Sequence, residues 1–101
     1  MSEYETSHGF RHPKVESNQK LFISPIDGKL GYSAALHEVL DKRNKVLDGN
    51  QTLATVDAFM NPQFIRMGQR GFIVHILAED QQLVRIHQPL FIVRYFTPVL
   101  D

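Results

Sequence analysis

Residues 46–56, Val46-Leu47-Asp48-Gly49-Asn50-Gln51-Thr52-Leu53-Ala54-Thr55-Val56, recur in outline 37 positions later: Val46 falls on Leu83, Asn50 on His87, Leu53 on Leu90 and Val56 on Val93. Upstream, the same shift sets Val39-Leu40 on Ile76-Leu77, and a shift of 43 sets Ser24-Pro25-Ile26-Asp27-Gly28 on Met67-Gly68-Gln69-Arg70-Gly71. The two shifts differ by six, which puts a six-residue insertion in the first copy between Lys29 and Glu38. An internal repeat outweighs any local propensity. Neither copy can bury its short apolar bursts alone, so the two are expected to pack face to face around one core, as pseudo-twofold-related halves of a flattened all-β sandwich.

The punctuation agrees. Pro25, Gly28, Gly31, Gly49, Pro62, Gly68, Gly71 and Pro89 separate apolar runs of about five residues, the pattern of short strands joined by tight turns. Strands are predicted at 21–23, 46–47, 53–56, 64–67, 72–76, 83–84 and 90–95. One segment dissents: Ser33 to Leu40 has helix formers and an apolar face at Leu36, Val39 and Leu40, so propensity favours a short helix there. Residues 1–20 hold few aliphatics and are expected to form a mobile polar arm; 21–96 form the domain and 97–101 a short tail. The apolar run Leu90 to Phe96 is too continuous for a strand with one wet face. Alternation would bury the Leu90 and Ile92 set and leave Phe91, Val93 or Tyr95 for the arm or a second copy of the chain.

Composition narrows function by exclusion. The chain has 101 residues, 11 Lys plus Arg against 11 Asp plus Glu, and no Cys. One small domain leaves little room for a deep cleft. Zero net charge argues against nucleic acid or an anionic membrane as partner, and the lack of Cys removes disulfides, thiol nucleophiles and Cys-bound metals. No signal-like apolar stretch is present, so a cytoplasmic location is expected. The lysines are Lys14, Lys20, Lys29, Lys42 and Lys45, and none follows.

The repeat and its turn glycines resemble the biotin/lipoyl carrier domain family, most closely the biotin carboxyl carrier proteins. The resemblance rests on Ser24-Pro25-Ile26-Asp27-Gly28, then Lys45 to Leu53, then Gly71-Phe72-Ile73, Ile76-Leu77-Ala78-Glu79 and Pro89-Leu90. No single motif is specific; their order and spacing over residues 21–95 are. The resemblance implies a barrel-sandwich hybrid, with the insertion as a thumb-like loop that includes Gly31-Tyr32-Ser33-Ala34-Ala35. It also implies strand, not helix, from Glu38 to Leu40.

In such carriers the copies meet at an exposed hairpin, Val-Glu-Ala-Met-Lys-Met, whose lysine takes the cofactor. Here the stretch is Val56-Asp57-Ala58-Phe59-Met60-Asn61-Pro62, with Met60 at the acceptor position. Amide formation needs a primary amine, and a thioether has none. No slip in register recovers one, because no lysine follows Lys45. No cofactor is therefore expected. Pro62 removes a backbone donor from the returning strand, so a wider loop over Phe59 to Pro62 is expected in place of a two-residue turn. Phe59 and Met60 then either anchor a protein partner or fold down on their own domain.

The remaining chemistry is sparse. His8, His12, His37, His75 and His87 show no metal-ligand spacing, and Asp27, Asp48, Asp57, Glu79 and Asp80 fall at turn-like or strand-end positions. No nucleophile elbow or phosphate loop is present, so no catalytic residue is expected. Arg66 and Arg70, near Arg43 if the copies pair, offer a partner-facing charge or are merely solvated. The expected function is that of a non-biotinylated carrier-like binding or regulatory subunit of a carboxylase-type complex. The alternative is a stand-alone lipoyl-like small-molecule-binding or structural module of a biosynthetic or transport system.

Overall fold

The computed structural model describes residues 4–7, 9–42 and 45–100. It is mostly β, with one helix: β1 (Tyr4–Ser7), β2 (Phe10–Pro13), β3 (Gln19–Ile23), β4 (Gly28–Tyr32), α1 (Ala34–Asp41), β5 (Thr52–Ala58), β6 (Asn61–Arg66), β7 (Gly71–Ile76), β8 (Leu83–Val84) and β9 (Pro89–Tyr95). β1 and β2 make a separate hairpin. The rest form two antiparallel sheets, ordered β3-β9-β7 and β6-β5-β4-β8. Among the described residues no helix is long and apolar enough to cross a membrane.

The two shifts in the sequence reappear as pairing register. Lys29↔Asp57 and Leu30↔Val56 in one sheet correspond to Phe72↔Arg94 and Ile73↔Val93 in the other. Val56↔Gln63 and Thr55↔Phe64 correspond in the same way to Lys20↔Val93 and Leu21↔Ile92. The halves also exchange a short contact: Gly28 pairs with Val84, and Leu47 with Gly71. Leu30, Leu47, Leu53, Val56, Phe91 and Val93 fill the space between the sheets and are fully buried. At about 1.5–3 kcal/mol for each such side chain, this core is the main source of stability.

Turns repeat as well. Gln19, Gln51, Gln82 and Gln88 each donate a backbone N–H to the carbonyl three residues back, on Glu16, Asp48, Glu79 and Arg85. The same four glutamines accept, through Oε1, the backbone N–H of that residue at 3.0, 2.7, 2.8 and 3.0 Å. Each turn thereby closes a ring that satisfies polar groups the strands leave over.

Several sequence-based expectations need correction. The insertion is not a loop that returns as strand: Ala34–Asp41 is α-helical. Ser33 caps it, its Oγ accepting the Leu36 N–H at 3.1 Å, and Leu36 and Val39 enter the core. Local propensity was the better guide, because the insertion has no counterpart in the second copy to pair with. Gly31 and Tyr32, expected in that loop, belong to β4. The expected polar arm carries the β1-β2 hairpin, and His12 Nε2 lies 2.8 Å from the His87 carbonyl. In β9 both sets are buried: Leu90 and Ile92 as expected, and Phe91, Val93 and Tyr95 as well, so this strand offers no apolar face to a second chain. The tail residues are fastened: Val99 donates its N–H to the Ser17 carbonyl, and Leu100 to Gln69 Oε1 at 2.7 Å.

The helix is tied to the second copy through Asp80. Its Oδ1 accepts the Tyr32 N–H at 2.9 Å, and its Oδ2 lies 3.2 Å from His37 Nε2 on α1. Tyr32 in turn donates its hydroxyl to the Ala78 carbonyl, and burial, then the Asp80 and Glu79 charges, push its phenol above the ordinary value. The Tyr32 N–H, assisted by Gln81 and His37, holds the Asp80 carboxyl below its usual range. A carboxyl depressed in the folded state stabilises fully above its unfolded pKa and loses that contribution as pH falls through the folded one. The melting temperature should therefore decline as pH drops below about 4. Asp80→Asn should melt lower at pH 7 and decline less steeply with acid, as followed by circular dichroism.

Candidate functional site

β5 and β6 meet in a two-residue hairpin. Ala58 pairs with Asn61, and Phe59 and Met60 alone form the turn, with φ of 39° and 64°. Two successive positive φ values define the type I′ turn that matches strand twist, a geometry normally given to Asn-Gly. The wider loop expected from Pro62 is not formed. Pro62 stands opposite Asp57, one step beyond the closing Ala58–Asn61 pair. Hydrogen-bonded and non-hydrogen-bonded pairs alternate along an antiparallel ladder, and the pair next to a two-residue turn is hydrogen-bonded. Pro62 thus falls where the N–H would point away from β5, and β6 is an edge strand, so the missing donor costs nothing.

The turn carries its side chains outward. Phe59 is 93% exposed and Met60 90%, and neither folds back onto the domain. Met60 presents a thioether to solvent. Both residues hold left-handed backbone, which costs an L-residue roughly 1–2 kcal/mol each. Asn61, at the foot of the tip, accepts a hydrogen bond from the Gln63 amide at 3.3 Å.

Below Phe59, the solvent face of the four-stranded sheet sinks into an open trough of ≈ 500 Å³. Gly31 and Thr55, cross-strand neighbours, make its floor; Lys29 and Asp57, the pair two residues along on the same face, stand at the end nearest the tip; Gln81 lines it as well. Phe64, paired with Thr55, and Leu83, paired with Lys29, are 59% and 78% exposed. Four of the chain's large exposed apolar groups therefore belong to this one sheet and its tip.

Asp57 to Pro62 form the end of the β5–β6 hairpin. Arg66 closes β6 and Arg70 precedes β7; both are exposed, and Arg43 lies outside the described residues. Sequence reasoning missed Gly31, Thr55, Lys29 and Gln81 as members of one surface. The available signal was Gly31 itself, a glycine within a strand.

Because the turn geometry favours Asn-Gly, the double substitution Phe59→Asn, Met60→Gly should stabilise the protein by about 1–2 kcal/mol. Chemical denaturation would read this as a higher midpoint at unchanged slope; a lower midpoint would mean that the tip is not strained. No family model matches the chain, and no curated protein matches it.

Proposed function

We propose that this protein is a non-catalytic binding module of the biotinyl/lipoyl-carrier type, a barrel-sandwich hybrid that presents Phe59 and Met60 to a protein partner in place of a cofactor-bearing lysine. The observation that carries this reading is the hairpin tip: an aromatic and a methionine, both nine-tenths exposed, on left-handed backbone that favours other residues. Strain and exposed apolar surface are costs to the folded chain, and such costs persist where binding needs them. Aromatic and Met side chains are also the types that fill partner pockets.

The carrier-type architecture is supported by the matched register of the two halves and by the hairpin's place between them. The class of partner, a subunit of a carboxylase-type complex, rests on the resemblance alone. In such an assembly the protein would occupy a carrier's place without turning over.

Affinity capture from the native cell, analysed by mass spectrometry, tests the reading. Wild type should retain a specific partner that Phe59→Ala, Met60→Ala loses by about tenfold or more, as expected when two central anchors are truncated. Equal retention by the double variant would sink the anchor. Co-expression with a biotin ligase should leave the intact mass unchanged.

A further inference from the structure

The chain's six glycines separate into two kinds. Gly9 and Gly68 hold positive φ, and a Cβ on Gly28, Gly49 or Gly71 would come within 2.6, 2.9 and 2.1 Å of a backbone carbonyl oxygen. Gly31 has neither reason. Its φ is ordinary, and a Cβ there would meet nothing closer than 3.9 Å. A glycine inside a strand gives up roughly 0.5–1 kcal/mol relative to alanine. Where the fold does not require it, the remaining use is close approach by another molecule. Gly31 is the floor of the trough beneath Phe59.

The other half of the molecule shows what such a face accepts. The positions equivalent to Thr55 and Phe64 are Ile92 and Leu21 on the three-stranded sheet. There, Pro13 and Lys14 border the same depressions as Ile92 and Leu21, so an extended stretch of the chain's own N-terminal region lies along the face. The equivalent of Asp57 is Arg94, and Arg94 Nη2 reaches Glu16 Oε2, on that same stretch, at 3.1 Å. On the four-stranded sheet the charge is inverted, and Lys29 stands directly across the strands from Asp57. Among the described residues neither the Lys29 ammonium nor the Asp57 carboxylate has a hydrogen bond or ion pair.

We infer that the trough binds an extended peptide segment of the protein partner, which lays its backbone on Gly31 and places a basic side chain on Asp57 and an acidic one on Lys29. This rests on the binding-module reading and names what the partner presents beside the pocket for the tip. The trough is too open to enclose a small molecule on most sides, whereas a strand needs only one face.

The test uses three capped pentapeptides as probes, Ser-Arg-Val-Glu-Ser, Ser-Glu-Val-Arg-Ser and Ser-Gln-Val-Gln-Ser, titrated into nitrogen-15-labelled full-length protein. One charged order should shift the amides of Gly31, Thr55 and Asp57 with an affinity about five- to tenfold above the neutral peptide, the sum of two exposed ion pairs. Asp57→Lys with Lys29→Glu should transfer that preference to the other order. Gly31→Val should abolish the response while melting at or above the wild-type temperature, which separates a filled floor from a damaged fold. Equal binding of all three peptides, shifts confined to other surfaces, or full binding by Gly31→Val would overturn the inference. If partner capture depends on Phe59 and Met60 but not on Gly31→Val, the anchor stands and the peptide site falls; if capture ignores the tip, the function reading itself fails.

Discussion

Two contacts between a glycine and a carbonyl set the geometry on which everything else depends. Gly28 opens β4 so close to the Asp57 carbonyl that a Cβ would sit 2.6 Å from its oxygen, and Gly71 opens β7 in the same relation to Arg94, at 2.1 Å. The same shifts that relate the two halves relate these contacts. No side chain fits in either place. Each contact also starts a strand exchange, since Gly28 pairs with Val84 and Gly71 with Leu47. A methyl group at either glycine would push apart β4 from β5, or β7 from β9, and with them the short Gly28–Val84 and Leu47–Gly71 pairings between the copies. The core leucines would lose their enclosure, so the backbone geometry at two chain positions decides whether the core closes.

Once that frame is closed, its two outer faces are free to diverge. On the three-stranded sheet, the N-terminal stretch supplies cover, and Glu16 supplies a counter-charge for Arg94. On the four-stranded sheet, the same positions carry Thr55, Phe64 and Asp57, and among the described residues no extended segment lies over them. A symmetric fold that covers one face and leaves the other open has an internal control. The covered face shows that ordinary packing of this scaffold accepts an extended segment, so the open face is not an inevitable consequence of its strand order.

How much of this was legible in the sequence follows from what kind of information each element needs. The repeat register was legible because it is written in spacing: Val56 to Val93 and Gly28 to Gly71 are fixed offsets, and strands inherit them. β4 was not, because Gly28-Lys29-Leu30-Gly31-Tyr32 contains two residues that strands usually avoid, one for contact and one for access. The helix was legible from Leu36 and Val39 and was lost by preferring the resemblance, which had nothing to say about an inserted segment. The turn was misread because the cost of Pro62 depends on whether its position in the ladder is hydrogen-bonded. That parity is counted from the turn, and the turn's length is itself unknown until the register is fixed.

The candidate site is best understood by what it costs. A domain of this size is stable by roughly 5–15 kcal/mol in total. Phe59 and Met60 on left-handed backbone, together with a mid-strand glycine that nothing in the fold requires, forgo on the order of 3 kcal/mol. Selection for stability alone would recover that by single substitutions, since asparagine and glycine suit the turn and any β-former suits position 31. Left-handed non-glycine backbone occurs also at Gln81, which borders the trough, and at His87, which does not. Phe59, Met60 and Gly31 meet at one trough and its overhanging tip, beside the cross-strand charges Lys29 and Asp57, which make no hydrogen bond or ion pair among the described residues. That meeting suits the proposed binding surface, because the groups such a surface offers to another molecule are those the fold leaves unsatisfied.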